Sequence, residues 1–286
     1  MNLLQRLGTS AILILVVVGT LFACPLWTFA LVVITFIAVA LYEFFTMVRQ
    51  RGILVHRPLS IGLGVVFSLL VAWRSLVKPG LVLAPALAEG ATVFRWAWDI
   101  FWPVTIVLIF LRQFTRQNTF EALSGLATTL FGLAYIAGLF NYLFYLRTLK
   151  GQDGAWLIVY LILVTKMGDA GAFAIGNLWG RHTLMARISP RKTVEGFVGG
   201  ALVSAATGAL AAPMVARLAG SAWSGLWMGL VLGLVGQLGD LAESLIKRDC
   251  QVKDSGRLLP GLGGILDVLD SLLFTAPLFY GLLIYP

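Results

Sequence analysis

Residues 240–271 read D-L-A-E-S-L-I-K-R-D-C-Q-V-K-D-S-G-R-L-L-P-G-L-G-G-I-L-D-V-L-D-S and set six acidic and four basic side chains between two strongly apolar segments. Charge beside a bilayer core is costly and is rarely kept without a chemical task. Asp240, Glu243 and Lys247 recur at i, i+3 and i+7, one face of a helix. Asp267 and Asp270 are likewise one turn apart. Two carboxylates from different helices, Asp240 and Asp267, could meet across a bundle and bridge Mg²⁺, a hard ion that prefers oxygen ligands and retains water. Asp270 and Glu243 would support them. Between the acids, Lys247, Arg248, Lys253 and Arg257 are natural phosphate-binding side chains, and Gly256, Gly261, Gly263 and Gly264 let backbone approach a ligand closely. The bland alternative is a set of interhelical salt bridges and a solvated loop. The chemistry this pattern suits is the handling of metal ions and phosphate groups at a membrane surface.

Two further clusters stand upstream. Lys166 and Asp169 lie inside an apolar stretch at i, i+3, with Gly168, Gly171, Gly176 and Gly180 leaving a smooth surface for close packing. They read either as a buried pair locking helices together or as Asp169 orienting a metal or ribose while Lys166 offsets negative charge. In I-S-P-R-K-T-V-E-G-F, residues 188–197, Ser189 and Pro190 open a turn, and Arg191 and Lys192 precede a helix starting near Thr193. A helix N-terminus beside Lys and Arg attracts anions. Thr193 is the expected N-cap, and Glu195 would sit in the first turn. An anchor loop with an ordinary cap is the simpler reading of the same residues.

The elements that position these groups follow from composition. The chain has 286 residues, 59% hydrophobic and 12% charged, with mean hydropathy +0.91. A helical span needs about 20 apolar residues. Continuous apolar runs, without period-2 alternation, predict an all-α, polytopic integral membrane helical bundle. About nine transmembrane helices are expected, near 6–24, 26–47, 58–77, 93–112, 120–147, 154–178, 195–217, 222–246 and 265–285. The 120–147 run is long enough to be kinked or split at its glycines, and 79–92 reads as a short external loop. With the N-terminus inside, 14 of the 21 Lys and Arg fall on the cytoplasmic side, which predicts an odd number of spans in the cytoplasmic (inner) membrane with the charged clusters facing the cytoplasm. One domain, 1–286, is expected: scaffold helices over 1–150 and a catalytic half over 151–286. The acids of the first half, Glu43, Glu89, Asp99 and Glu121, all lie near span ends, and that half reads as chemically quiet.

Several classes are set aside. The pI near 9.8 is a topology signal, so no nucleic acid partner is expected. Cys24 and Cys250 form no framework, and no Cys/His cluster has zinc spacing. L-F-A-C at 21–24 faintly resembles a lipoprotein cleavage site, but a second apolar run follows at once, so a helix end before Pro25 is the better reading. His56 and His182 are remote from the charged segment, leaving no Ser-His-Asp or Cys-His arrangement.

At the charged segment the sequence resembles the phosphatidate cytidylyltransferases, or CDP-diacylglycerol synthases. Their C-terminal signature runs roughly S-x-x-K-R-x4-K-D-x-G-x2-L-P-G-H-G-G-x-x-D-R-x-D. Here Ser244, Lys247, Arg248, Lys253, Asp254, Gly256, Pro260, Asp267 and Asp270 stand in register. The upstream G-D-L-x-E-S, D-x-G-A-F and S-P-x-K-T-x-E-G are similar too, so the resemblance covers about 160–275. Leu262 replaces the usual His and Val268 the usual Arg. The resemblance implies transfer of CMP from CTP to phosphatidic acid, with Mg²⁺ as cofactor. Asp240, Asp267, Lys247 and Asp270 would be catalytic, with Asp240 and Asp267 as metal ligands. Arg248, Lys253, Lys192, Ser189, Asp169, Glu243 and Asp254 would bind substrate. A homodimer is left open. The competing expectations are a CTP-dependent lipid kinase, a divergent paralogue of low activity and a transporter.

Overall fold

The computed structural model describes residues 3–76, 85–115, 121–149, 153–215, 218 and 221–284. Lys78, Arg116, Lys150 and Arg217, four of the cations used to orient the chain, lie outside them, as do residues 79–84 of the expected external loop.

The apolar runs form helices: α1 (Leu3–Phe22), α2 (Leu26–Gln50), α3 (Arg57–Leu76), α4 (Pro85–Phe114), α5 (Ala122–Gly132), α6 (Tyr142–Arg147), α7 (Gly154–Trp179), α8 (Val194–Ala211), α9 (Ala222–Asp249) and α10 (Ile265–Ile284). Among the described residues, seven runs are long and apolar enough to cross a membrane; α5 and α6 count as one, joined through a π-helical turn at Leu133–Gly138. That turn is where the split in the 120–147 run falls. The apolar part of α1, Gly8–Phe22, is shorter, and α4 carries Glu89, Arg95 and Asp99 in its first half. Helix α4 also starts earlier than expected, so 85–92 is helix and not loop. Pro103 and Pro277 lie inside α4 and α10; neighbouring helices let a membrane helix tolerate them.

One element departs from the all-α expectation. Thr183–Met185 (β1) and Ser189–Thr193 (β2) pair antiparallel, Thr183 opposite Thr193 and Met185 opposite Ser189. Ser189 and Pro190 therefore start a strand; the turn precedes them.

Contacts sort the helix ends into two sets. At one end Arg51, after α2, pairs with Asp249 of α9 at 2.9 Å, and Thr9 of α1 donates to Pro260 O at 2.9 Å. At the other, Arg147 donates to Leu21 O at 3.3 Å, and Phe22 meets Trp156 with ring centroids 5.0 Å apart. The hairpin and the loop between α9 and α10 belong to the first end, and Lys166 and Asp169 lie about halfway along α7. Helices α7, α8 and α9 approach closely because small residues face one another. A Cβ on Gly168 would strike Ser204 Oγ, one on Gly208 would strike Gly225 O, and one on Gly229 would strike Ser204 O. Tyr160 Oη donates to Gly225 O at 3.2 Å across this seam. Without a hydrophobic force between lipid-bathed helices, such backbone proximity is what holds them. On the N-terminal side the core is aromatic and aliphatic, with Ile37, Leu41, Phe44 and Phe45 of α2 fully enclosed.

Candidate active site

Helix α7 begins at Asp153, whose side chain accepts from Ala155 N at 3.0 Å. Three turns later Lys166 and Asp169 fall on one face, and their charged atoms meet at 3.2 Å. Lys166 Nζ also donates to Ser271 Oγ of α10 at 2.9 Å and lies 3.8 Å from Asp270 Oδ1. The pair thus both locks helices and presents charge, since Asp169 also lines the cleft described below.

The hairpin leads straight into α8. Thr193 is the N-cap, accepting from Gly196 N at 3.1 Å. Glu195, in the first turn, reaches back to accept from Arg181 N (3.1 Å) and His182 N (3.2 Å) and lies 2.6 Å from His182 Nδ1. His182, given no role on sequence grounds, thus ties the hairpin base to α8. Arg248 Nε donates to Ile188 O at 3.2 Å, holding the hairpin turn against α9. Lys192, at the end of β2, pairs with Asp240 Oδ2 of α9 at 2.7 Å.

Deeper lies the acid–base cluster of α9 and α10. Lys247 Nζ sits 2.8 Å from Glu243 Oε2 and 2.8 Å from Asp267 Oδ1, with side-chain exposures of 12%, 0% and 10% for Lys247, Glu243 and Asp267. Asp267 accepts from Gly264 N at 2.7 Å and Ser255 N at 3.0 Å. The first of these is the acid-to-N-cap half of a capping box. The other half needs an N-cap side chain, which Gly264 lacks. Glu43 of α2 supplies it from elsewhere in the chain: it accepts from Ile265 N at 3.0 Å, Leu266 N at 2.9 Å and Ser255 Oγ at 3.2 Å. A Cβ at Gly264 or Gly256 would collide with this carboxylate. At Gly263 the backbone has φ +97°, and a side chain there would strike Asp267 Oδ2.

Between α7, the hairpin, α8 and α9 opens a cleft of about 530 Å³. Asp169, Phe173 and Asn177 line it from α7, Arg191 and Lys192 from β2, and Gln237 and Asp240 from α9. Small-ligand pockets run from about 300 to 1,000 Å³. Three ion-pair groups lie here, Lys166 with Asp169 and Asp270, Lys192 with Asp240, and Lys247 with Glu243 and Asp267, so that five carboxylates face three ammonium groups. Glu243 Oε1 is buried with no hydrogen-bond partner among the described residues. A site richer in carboxylate oxygens than in ammonium groups, with one of those oxygens buried and unanswered, fits a divalent, oxygen-seeking ion. Among the described residues no three acids, Cys or His converge on one point, so protein ligands would be few and water would complete the shell.

Of the expected site residues, the structure gathers Asp169, Lys192 and Asp240 at the cleft, with Glu243, Lys247, Asp267 and Asp270 behind it. Asp240 and Asp267 answer different lysines, Lys192 and Lys247. Ser189 and Arg248 serve the hairpin; Lys253 and Asp254 are exposed on the loop after α9 and do not line the cleft. Leu262 lies in a turn closed by Leu259 N to Gly263 O (2.9 Å). Glu43 ties the N-terminal half to the loop and helix start that hold Asp267, and Asn177 and Gln237 are cleft residues that the sequence did not single out. The only sequence signal for Glu43 is an acid late in an otherwise apolar run.

Residues 4–285 match the model of the cytidylyltransferase family. A phosphatidate cytidylyltransferase of Staphylococcus saprophyticus is 44% identical over 172 residues, 59% of this chain and 62% of the relative. One from Staphylococcus haemolyticus is 43% identical over 172 residues with the same coverage, and one from Staphylococcus aureus strain COL 42% over 168. The aligned part of this chain thus spans about 62% of the length of these relatives. With the match running over almost its whole length, this chain is a polytopic membrane member of the cytidylyltransferase family.

Proposed function

We propose that the chain transfers CMP from CTP to phosphatidic acid, releasing pyrophosphate, in the inner membrane with its cleft facing the cytoplasm. The observation that carries this reading is the set of three lysines, Lys166, Lys192 and Lys247, each paired with carboxylates, beside an open cleft that Asp169, Lys192 and Asp240 line. The names of the staphylococcal relatives support the choice of substrates. The basic residues at the hairpin end of the bundle support the orientation.

In such a reaction a phosphate oxygen of the lipid attacks the α-phosphorus of CTP, a new P–O bond forms, and the bond to pyrophosphate breaks. The attacking phosphate is already anionic near neutral pH, so no strong base is needed; among the described residues the cleft is lined by no histidine. The obstacle is bringing polyanions together, and fixed cations lower it by holding the groups in line. Lys192 and Arg191 face the cleft and would take phosphate oxygens. Asp240, paired with Lys192, fixes that ammonium group. Lys247, enclosed by Glu243 and Asp267, would orient those acids and not release them to bind phosphate itself. Arg248 would act by holding the hairpin. Lys253 and Asp254, on the exposed loop, would meet substrate only at the mouth.

Mg²⁺ is the proposed cofactor, and when bound it would neutralise triphosphate charge. Asp240 would hold it together with an α10 aspartate, Asp267 or Asp270. Asp267 already accepts three N–H donors, whereas Asp270 accepts from Ser271 N and lies 3.8 Å from Lys166 Nζ.

Purified protein, phosphatidic acid, Mg²⁺ and CTP labelled at the α- or γ-phosphorus test the reading. Label from the α-phosphorus should enter lipid; entry of γ-label would point to a lipid kinase, and no transfer of either would overturn the proposal.

A further inference from the structure

We propose that Glu43, on an otherwise apolar helix of the N-terminal half, is a positioning residue for the transfer site and acts through Asp267. This rests on the nucleotidyl-transfer reading above. Glu43 is 4% exposed and has no lysine or arginine beside it in any ion pair of the described residues. Its charge is answered by Ile265 N, Leu266 N and Ser255 Oγ, and by the positive end of α10. Such a buried carboxylate persists only when its oxygens are satisfied.

What links it to chemistry is that Glu43 and Asp267 share one donor residue, Ser255, and both press on Gly264. Ser255 donates its hydroxyl to Glu43 and its N–H to Asp267. Gly264 donates its N–H to Asp267, and its missing side chain leaves room for Glu43. Asp267 in turn fixes Lys247, and Lys247 fixes Glu243. A displaced Glu43 would let the N-terminal turn of α10 and the 255–264 loop shift, and the aim of Asp267 and Lys247 would shift with them.

The geometry makes the conservative variant informative. Ile265 N goes to Oε1 and Leu266 N to Oε2, one backbone donor to each oxygen, with Ser255 Oγ also on Oε2. Glutamine keeps the shape but has one acceptor oxygen, so its NH₂ must face one of the two N–H groups. Aspartate keeps the charge but is one methylene short.

The test uses the full chain in nanodiscs containing phosphatidic acid, comparing wild type with Glu43→Gln and Glu43→Asp. We expect kcat to fall by about 10–100-fold, the cost typical of residues that orient a ligating group. The Mg²⁺ half-saturation should rise while KM for phosphatidic acid stays within about twofold. Trypsin should also cut the loop faster at Lys253 and Arg257 in both variants. Wild-type kcat and Mg²⁺ half-saturation in Glu43→Gln would overturn the proposal, as would a loss of activity that only tracks loss of folded protein. If wild type itself transfers nothing, the functional reading fails, yet the cleavage rates still decide: unchanged cutting overturns the positioning role, and faster cutting upholds it.

Discussion

Lys247→Met removes an ammonium group from between two carboxylates at 2.8 Å each. The cost can be apportioned. Asp267 keeps Ser255 N and Gly264 N after the change, so its charge stays partly answered. Glu243 is 0% exposed, and Lys247 is the partner of its Oε2 while Oε1 has none among the described residues. The stranded charge is therefore Glu243. Removing one partner of a buried pair costs about 3–5 kcal/mol. Adding Glu243→Gln should recover more than half of that, because a neutral amide does not need a counter-ion. The comparison variant is Arg51→Ala, whose pair with Asp249 is 41% and 61% exposed; exposed pairs contribute about 0–1 kcal/mol. Denaturant unfolding in mixed micelles reads all three proteins. Lys247→Met as stable as Arg51→Ala, or a double variant no better than the single, would refute the reasoning.

Asp240→Asn unpairs Lys192 in the cleft (2.7 Å) and should lower CTP-dependent pyrophosphate release by at least about 100-fold. Both groups are about a third exposed, so the protein should stay folded and elute as wild type does. Chelation by EDTA should abolish turnover of the wild type and added Mg²⁺ restore it; turnover that persists in EDTA would remove the divalent ion from the scheme. Gly229→Ala forces a methyl group against Ser204 O and should cost about 1–3 kcal/mol in thermal unfolding. Gly62→Ala, with nothing within 4 Å of the added carbon, should cost nothing by the same measure.

Much of the helical frame was legible because apolar length is a strong signal. The runs expected at 154–178 and 222–246 are observed as Gly154–Trp179 and Ala222–Asp249. The run expected to 217 stops as an α-helix at Ala211, where Pro213 turns the chain into a short 3₁₀ segment. The pairs Lys166–Asp169 and Glu243–Lys247 followed from helical spacing, and Thr193 from the cap rule. Spacing could not reveal the hairpin: its strands are three and five residues long, and their pairing is a tertiary fact. Nor could it reveal Glu43. An acid late in a membrane helix looks like an interfacial residue until the helix it caps, more than two hundred positions away in sequence, is beside it. Helical phase fixes a face and not a partner: Asp240 pairs with Lys192 of the hairpin and Asp267 with Lys247.

The seam of α7, α8 and α9 leaves these three rods with no slack. Where main chain rests on main chain, there is no rotamer to adjust and no lipid tail to squeeze out. This trio would therefore travel as one block, and any breathing of the bundle would be borne by the helices around it. Random mutagenesis should register this, with the seam glycines intolerant of even a single added carbon.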